Sequence, residues 1–232
     1  MTQVVTFQEL DCDNGKKIAV ATLNSPRSLN ALNGEMIDLL YPKLKAWQVE
    51  NSIAAVFLQG EGDKAFCAGG DVVSLYHDLA YDSPDEQNTN SAQNYFTQEY
   101  QLDFLIQQYK KPIITWGNGI VMGGGVGLMV GASHRIVTEN TKLAMPEVTI
   151  GLFPDVCGSY FLNKMPNNLG LFVGLTGAML NAEDAIYSGL ANYKVLHSEK
   201  SVLLDELSSL QWSMDIGKNH QHLKLLLSSL SE

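Results

Sequence analysis

The stretch MPEVTIGLFPDVCG, residues 145–158, sets two carboxylates, Glu147 and Asp155, into apolar sequence punctuated by glycine and proline. Pro146 and Pro154 stand directly before the acids and have a fixed φ, while Gly151 and Gly158 permit turns that a Cβ resists. One reading is structural: Glu147 starts a helix after Pro146, and Asp155 closes a turn. The other is chemical. An acid beside Ile150, Leu152 and Phe153 is desolvated, which raises its pKa toward the range useful for proton transfer.

Upstream of this stretch strands alternate with helices; downstream, helices dominate. Val4–Leu10 and Ile18–Leu23 read as a hairpin around Asp13-Asn14-Gly15. From Asn33, Met36, Ile37, Leu40, Leu44 and Trp47 fall at helical spacing. Pro42 should kink that helix or mark a shorter first segment. Ala54–Leu58, Pro112–Trp116 and Arg135–Val137 read as strands. KAFCAGGD (64–71) reads as a loop entering a short helix with Asp71 as its N-cap. Residues 81–94, polar and aperiodic, predict a mobile surface excursion, followed by a helix over roughly Tyr95–Tyr109. Gly123-Gly124-Gly125 opens a helix running to Val130. After Gly158 the spacing predicts helices over Tyr160–Lys164, Leu169–Leu175, Ala182–Gly189, Val202–Leu210 and His222–Leu230. The pattern is α/β or α+β with a helical C-terminal part, and no internal repeat of fixed period is visible.

Composition narrows the function. The 232 residues, 45% hydrophobic and 17% charged, read as a soluble globular chain. A formal charge of −10 disfavours nucleic-acid binding, which needs clustered cations. Three cysteines without a CxxC pair suit a reducing cytoplasm. MTQVVTFQEL has no targeting pattern, and the apolar run Ile120–Ala132 is glycine-broken and too short for a bilayer. The expectation is a cytoplasmic protein with no membrane partner. The ending LKLLLSSLSE is an amphipathic helix without an obvious partner, so a homo-oligomer formed through it is one expectation.

Two glycine clusters, Ala68-Gly69-Gly70 and Gly123-Gly124-Gly125, each follow an apolar strand and open a helix. There, bare backbone N–H groups can meet a ligand. Two such groups converging on one point stabilise a developing oxyanion, and close helix–strand packing is the structural alternative. The order GGGVG lacks the GxGxxG fingerprint, and neither a P-loop nor a GxSxG elbow occurs. Cys157 has no sequence-near histidine to make it a nucleophile. His220 and His222 read as a solvated helix start, His134 as a structural histidine, and no metal ligand set emerges.

Taken together, LNSPRSLNAL (23–32), KAFCAGGD (64–71), GNGIVMGGGVGL (117–128) and MPEVTIGLFPDVCGSYFL (145–162) resemble the successive signatures of the crotonase superfamily, in order and spacing. The similarity runs from about Val20 to Tyr193 and is greatest to the branch that hydrolyses short branched 3-hydroxyacyl-CoA thioesters. The resemblance implies a crotonase-like ββα spiral over 1–195, followed by a helical C-terminal segment over 196–232. It also implies an acyl-CoA substrate whose thioester carbonyl is held by the N–H groups of Gly70 and Gly124. Ala68, Gly69, Asp71 and Gly123 fall at motif positions that line the substrate, and Arg27 falls where family members approach the CoA nucleotide. Glu99 lies on a helix able to reach the acyl pocket, although a solvent-facing glutamate is the plainer reading. No cofactor beyond the CoA of the substrate is implied.

Departures from the pattern choose the reaction. Hydratases carry a glutamate at the position of Gly127, whereas their second glutamate is matched by Glu147. Asp155 in FPD fits the hydrolase pattern, with Glu147 and Asp155 as catalytic acids. Cys157 stands where those hydrolases more often have glycine. Hydrolase-branch proteins are longer than this chain, which implies that a C-terminal portion closing the CoA site is missing. The alternatives are an enoyl-CoA hydratase or isomerase using Glu147, and a non-catalytic acyl-CoA-binding protein. Replacing Gly123 by alanine is expected to be milder than replacing Gly124.

Overall fold

The computed structural model describes residues 3–81 and 87–231. In chain order the elements are β1 (Val5–Asp11), β2 (Lys17–Leu23), α1 (Gly34–Val49), β3 (Ile53–Gly60), β4 (Ala65–Cys67), α2 (Val72–Tyr81) and α3 (Gln87–Gln107). They continue with β5 (Ile113–Gly117), β6 (Ile120–Met122), α4 (Gly124–Val130), β7 (His134–Val137) and β8 (Lys142–Ala144). The C-terminal part contains α5 (Gly158–Phe161), α6 (Leu169–Thr176), α7 (Ala182–Tyr187), β9 (Tyr193–Lys194), α8 (Lys200–Ser209) and α9 (Ile216–Leu230).

The hairpin β1–β2 is antiparallel, turning where Gly15 adopts φ +77°, and every later pairing is parallel. The large sheet has the order β1-β2-β3-β5-β7-β9 and the small one β4-β6-β8. Each strand of the small sheet directly follows a strand of the large one, so the chain winds as a ββα spiral. The small sheet is absent from the sequence reading because each of its strands has three residues, too few to show a period.

Strands β2 and β3 are almost continuously apolar because both faces of the large sheet are covered. Ala19, Ala21, Val56 and Leu58 face the core that holds α1, α3 and α4. Ile18, Val20, Phe57 and Trp116 face a second layer built by Leu203, Leu207, Trp212, Leu223 and Leu227. The apolar face of α9 therefore has a partner within the chain, and the expectation of oligomerisation through it loses its basis. Pro42 does not end α1, because it faces solvent while Met36, Leu40 and Leu44 hold the buried stripe. The excursion expected over residues 81–94 is helical from Gln87 onward, and 82–86 lie outside the described residues. Among the described residues no helix is long and apolar enough to cross a membrane.

Candidate active site

The parallel strands β4 and β6 end side by side, and the two glycine clusters leave from those ends. Gly69 has φ +108°, and a Cβ there would lie 3.2 Å from the Met122 carbonyl oxygen. Gly123 has φ +48°. These left-handed conformations need glycine, and they let the two loops touch through bare backbone. A Cβ on Gly124 would sit 3.3 Å from the Gly70 nitrogen.

Leu32 N donates to Gly69 O (2.8 Å), Asp71 N to Leu32 O (2.8 Å) and Gly123 N to Ala144 O (3.2 Å). Among the described residues no acceptor takes the N–H of Gly70 or that of Gly124. Both glycines line one cavity of ≈ 440 Å³, together with Ala68, Gly69, Gly123, Glu99, Glu147 and Asp155.

More of the cavity wall comes from the 145–158 stretch and from α3. Glu147 opens a 3-10 turn, Glu147–Ile150, capped by Gly151 at φ +76°. Its local role is the structural one, yet its side chain is only 6% exposed and lines the cavity. Glu147 Oε1 lies over Gly123, 2.8 Å from where a Cβ would be, and Glu99 Oε1 lies over Gly124, at 2.5 Å. Glu99 is 3% exposed, so the solvent-facing reading of that residue is wrong. It shares a helix face with the buried Tyr95, Leu102 and Ile106. Asp103, one turn further, is 2% exposed, and neither of its carboxyl oxygens has a partner.

No lysine or arginine lines this cavity among the described residues, so no cation there offsets the burial of Glu99 and Glu147. Burial pushes Glu99 up to about 8, with the charge of Asp155 adding to it. Burial likewise pushes Glu147 up to about 7 against the hydrogen bond from its own backbone, again with Asp155 adding. Asp103 is raised well above the ordinary carboxylate range by burial and then by Glu99. A carboxyl with raised folded-state pKa keeps a proton that the unfolded chain has released, so its stabilising effect is lost as pH rises. Through Glu147 and Glu99, raised from 4.5 to about 7 and about 8, the melting temperature is expected to fall as pH rises from about 4.5 to about 8. Glu99→Gln should flatten that fall; a melting temperature that rises over the window, or an unchanged slope in the variant, contradicts the assignment.

Two expected site residues are not brought to the cavity. Arg27 lies exposed on a 3-10 turn, Pro26–Ser28. Asp71 caps α2, accepting from Ser74 N (3.1 Å) and Ser74 Oγ (2.7 Å), which leaves its carboxylate engaged. The sequence reading missed Asp103, Tyr95, whose phenol donates to Leu32 O, and Tyr100, whose phenol donates to Asp155 Oδ2. The periodicity of buried positions along α3 was the available signal. The place of the hydratase glutamate is filled: a Cβ on Gly127 would lie 2.6 Å from Val156 Cβ and 3.0 Å from both Asp103 oxygens. Gly127→Glu is therefore expected to cost roughly 3 kcal/mol or more in stability, as an overpacked and unpaired buried acid does. It should give no crotonyl-CoA hydration; a stable, hydrating variant would show that the site tolerates the hydratase geometry. Cys157 adopts φ +67°, a left-handed conformation that glycine takes without strain.

Away from the cavity, His134 is buried and stacked between Tyr193 (6.2 Å) and His220 (5.3 Å), and burial lowers its pKa to about 4. His220 is thus part of an aromatic stack, not a solvated helix start. Among the described residues no group of three or more His, Cys, Asp or Glu is arranged to hold a metal.

The family model for enoyl-CoA hydratase/isomerase matches residues 18–232. The chain belongs to that family. A 3-hydroxyisobutyryl-CoA hydrolase of Xenopus tropicalis is 46% identical over 81% of this chain and 47% of its own length. The small ribosomal subunit protein mS47 of Neurospora crassa is 40% identical over 90% of this chain and 41% of its own. Among solved structures, a carnitinyl-CoA dehydratase from Mycobacterium thermoresistibile superposes with a TM-score of 0.84 at 35% identity, covering 100% of this chain and 62% of that one. The spiral expected from sequence is thus the family fold. The chain spans about half the length of the curated relatives it matches. The cytoplasmic expectation is overturned: the hydrolases of Xenopus tropicalis, Danio rerio and Gallus gallus are named mitochondrial. The cysteine count that motivated it distinguishes reducing from oxidising surroundings and says nothing finer.

Proposed function

We propose that the chain hydrolyses a short, branched 3-hydroxyacyl-CoA thioester, such as 3-hydroxyisobutyryl-CoA, to the free acid and CoA. The observation that carries this reading is that two unspent amides, Gly70 and Gly124, line the same cavity as Glu147 and Asp155. The thioester oxygen accepts from both amides, which stabilise the oxyanion as the carbonyl carbon is attacked; each such donor is worth about 3–4 kcal/mol. Water is the attacking group when a carboxylate takes its proton; alternatively a carboxylate attacks and forms an anhydride that water then opens. In either course the C–S bond breaks and the CoA thiolate needs a proton. Glu147, held up to about 7, can carry that proton near neutral pH. Ala68, Gly69 and Gly123 supply wall without side-chain bulk, and Glu99 lies beside Gly124 as a partner for the acyl hydroxyl. These steps call for no cofactor besides the CoA of the substrate. The hydrolase named for Xenopus tropicalis supports this reading.

A second reading has support of its own. Glu99 supplies another glutamate at the amide pair, from α3 in place of the Gly127 position, and a solved relative is a carnitinyl-CoA dehydratase. Hydration or dehydration of an acyl-CoA uses such a pair. A non-catalytic assembly role is supported by the similarity to mS47. Incubation with 3-hydroxyisobutyryl-CoA, crotonyl-CoA and a 3-enoyl-CoA separates these: free CoA identifies hydrolysis, a hydrated thioester a hydratase, a shifted double bond an isomerase. Binding of all three with no product would leave only the assembly role.

A further inference from the structure

We infer that Tyr100 is a positioning residue for Asp155, its phenol fixing the direction in which that carboxylate faces the cavity. The inference rests on Asp155 being a reacting group in the proposed hydrolysis. Tyr100 Oη donates to Asp155 Oδ2 at 2.7 Å, joining α3 to the loop that follows Pro154. Among the described residues this is the donor the Asp155 carboxylate has, and the surrounding groups are acids: Glu99 and Asp103 on α3, and Glu147 on the turn after Pro146. Among the described residues no lysine or arginine lines the cavity, and the Tyr100 phenol is the group placed to orient this carboxyl.

The backbone beyond Asp155 makes the tether matter more. Val156 has φ +40° and Cys157 φ +67°, consecutive left-handed residues, the first of them β-branched. Such conformations persist only when surrounding structure imposes them. Here Val156 is buried, packed where a Gly127 side chain would be, so the loop is anchored behind Asp155. The Tyr100 bond anchors it in front. The Tyr100 ring is itself placed by Phe96, 5.9 Å away, and is 39% exposed, so it contributes little to the core. Its hydroxyl is the part with a defined partner.

Tyr100→Phe keeps the ring and removes the donor. On 3-hydroxyisobutyryl-CoA, kcat is expected to fall on the order of 10- to 100-fold, the scale for a misdirected reacting group, with KM within about twofold. The melting temperature should stay within a few degrees. In a double-mutant cycle, Tyr100→Phe added to Asp155→Asn should cause no further loss, because the group it positions is gone. A variant with full kcat, or losses that multiply across the cycle, overturns the tether and leaves the hydrolase reading standing. A wild-type protein without thioester turnover removes both.

Discussion

Glu147→Gln and Asp155→Asn are each expected to lower turnover at least about 100-fold, the usual scale for a positioned acid or base. Acyl-CoA binding should stay near normal. The structure gives the reason for expecting a change in rate and not in fold. Glu147 Oε2 is buried without a partner, so replacing its carboxyl by an amide breaks no hydrogen bond there. Glutamine fills the same volume but cannot deliver or take a proton near pH 7. Asparagine at 155 can still accept from Tyr100 Oη, so the loop keeps its tether while the charge is lost. Steady-state kinetics with parallel calorimetric binding check this. Two variants with full activity would remove both acids from the chemistry.

The second large effect concerns the amides themselves. Side-chain replacement cannot delete a backbone N–H, so access is what a substitution changes. A Cβ at Gly124 meets Glu99 Oε1 at 2.5 Å and comes within 3.3 Å of Gly70 N. One at Gly70 meets the hydroxyl of Tyr95 at 2.9 Å, on a ring held by its bond to Leu32 O. In the proposed hydrolysis, valine at either position would crowd the amide pair that is to hold the oxyanion, so Gly124→Val and Gly70→Val should abolish turnover while circular dichroism changes little. Gly123→Ala does not qualify as the mild control that sequence implied. Gly123 has φ +48°, and its Cβ would lie 2.8 Å from Glu147 Oε1, so that variant should be impaired as well. Near-normal rates in the valine variants would place the reacting carbonyl elsewhere.

What could be read from the sequence was what is local in it. Glu147, Asp155 and the two glycine clusters sit in short, punctuated motifs, and their backbone requirements show in the residues themselves. Glu99 and Asp103 did not announce themselves, because a carboxylate on a long polar helix normally faces water. Only their spacing from Tyr95, Leu102 and Ile106 marks the buried face. The small sheet β4-β6-β8 is fixed by the strands that precede each of its members, not by local propensity. The partner of α9 was invisible for a similar reason: Leu223 and Leu227 pack on a sheet face laid down by β2, β3 and β5, far earlier in the chain. Asp71 shows the converse. Its motif position points toward a ligand, yet its carboxylate is taken by Ser74.

Thiol release from 3-hydroxyisobutyryl-CoA by the purified wild-type chain, followed continuously with a thiol-reactive chromophore, tests the central claim most directly. The expected result is one thiol per acyl-CoA consumed, at a rate that Glu147→Gln lowers at least about 100-fold and Gly124→Val abolishes. Acyl-CoA consumed without thiol, or bound without any loss of thioester, would contradict it.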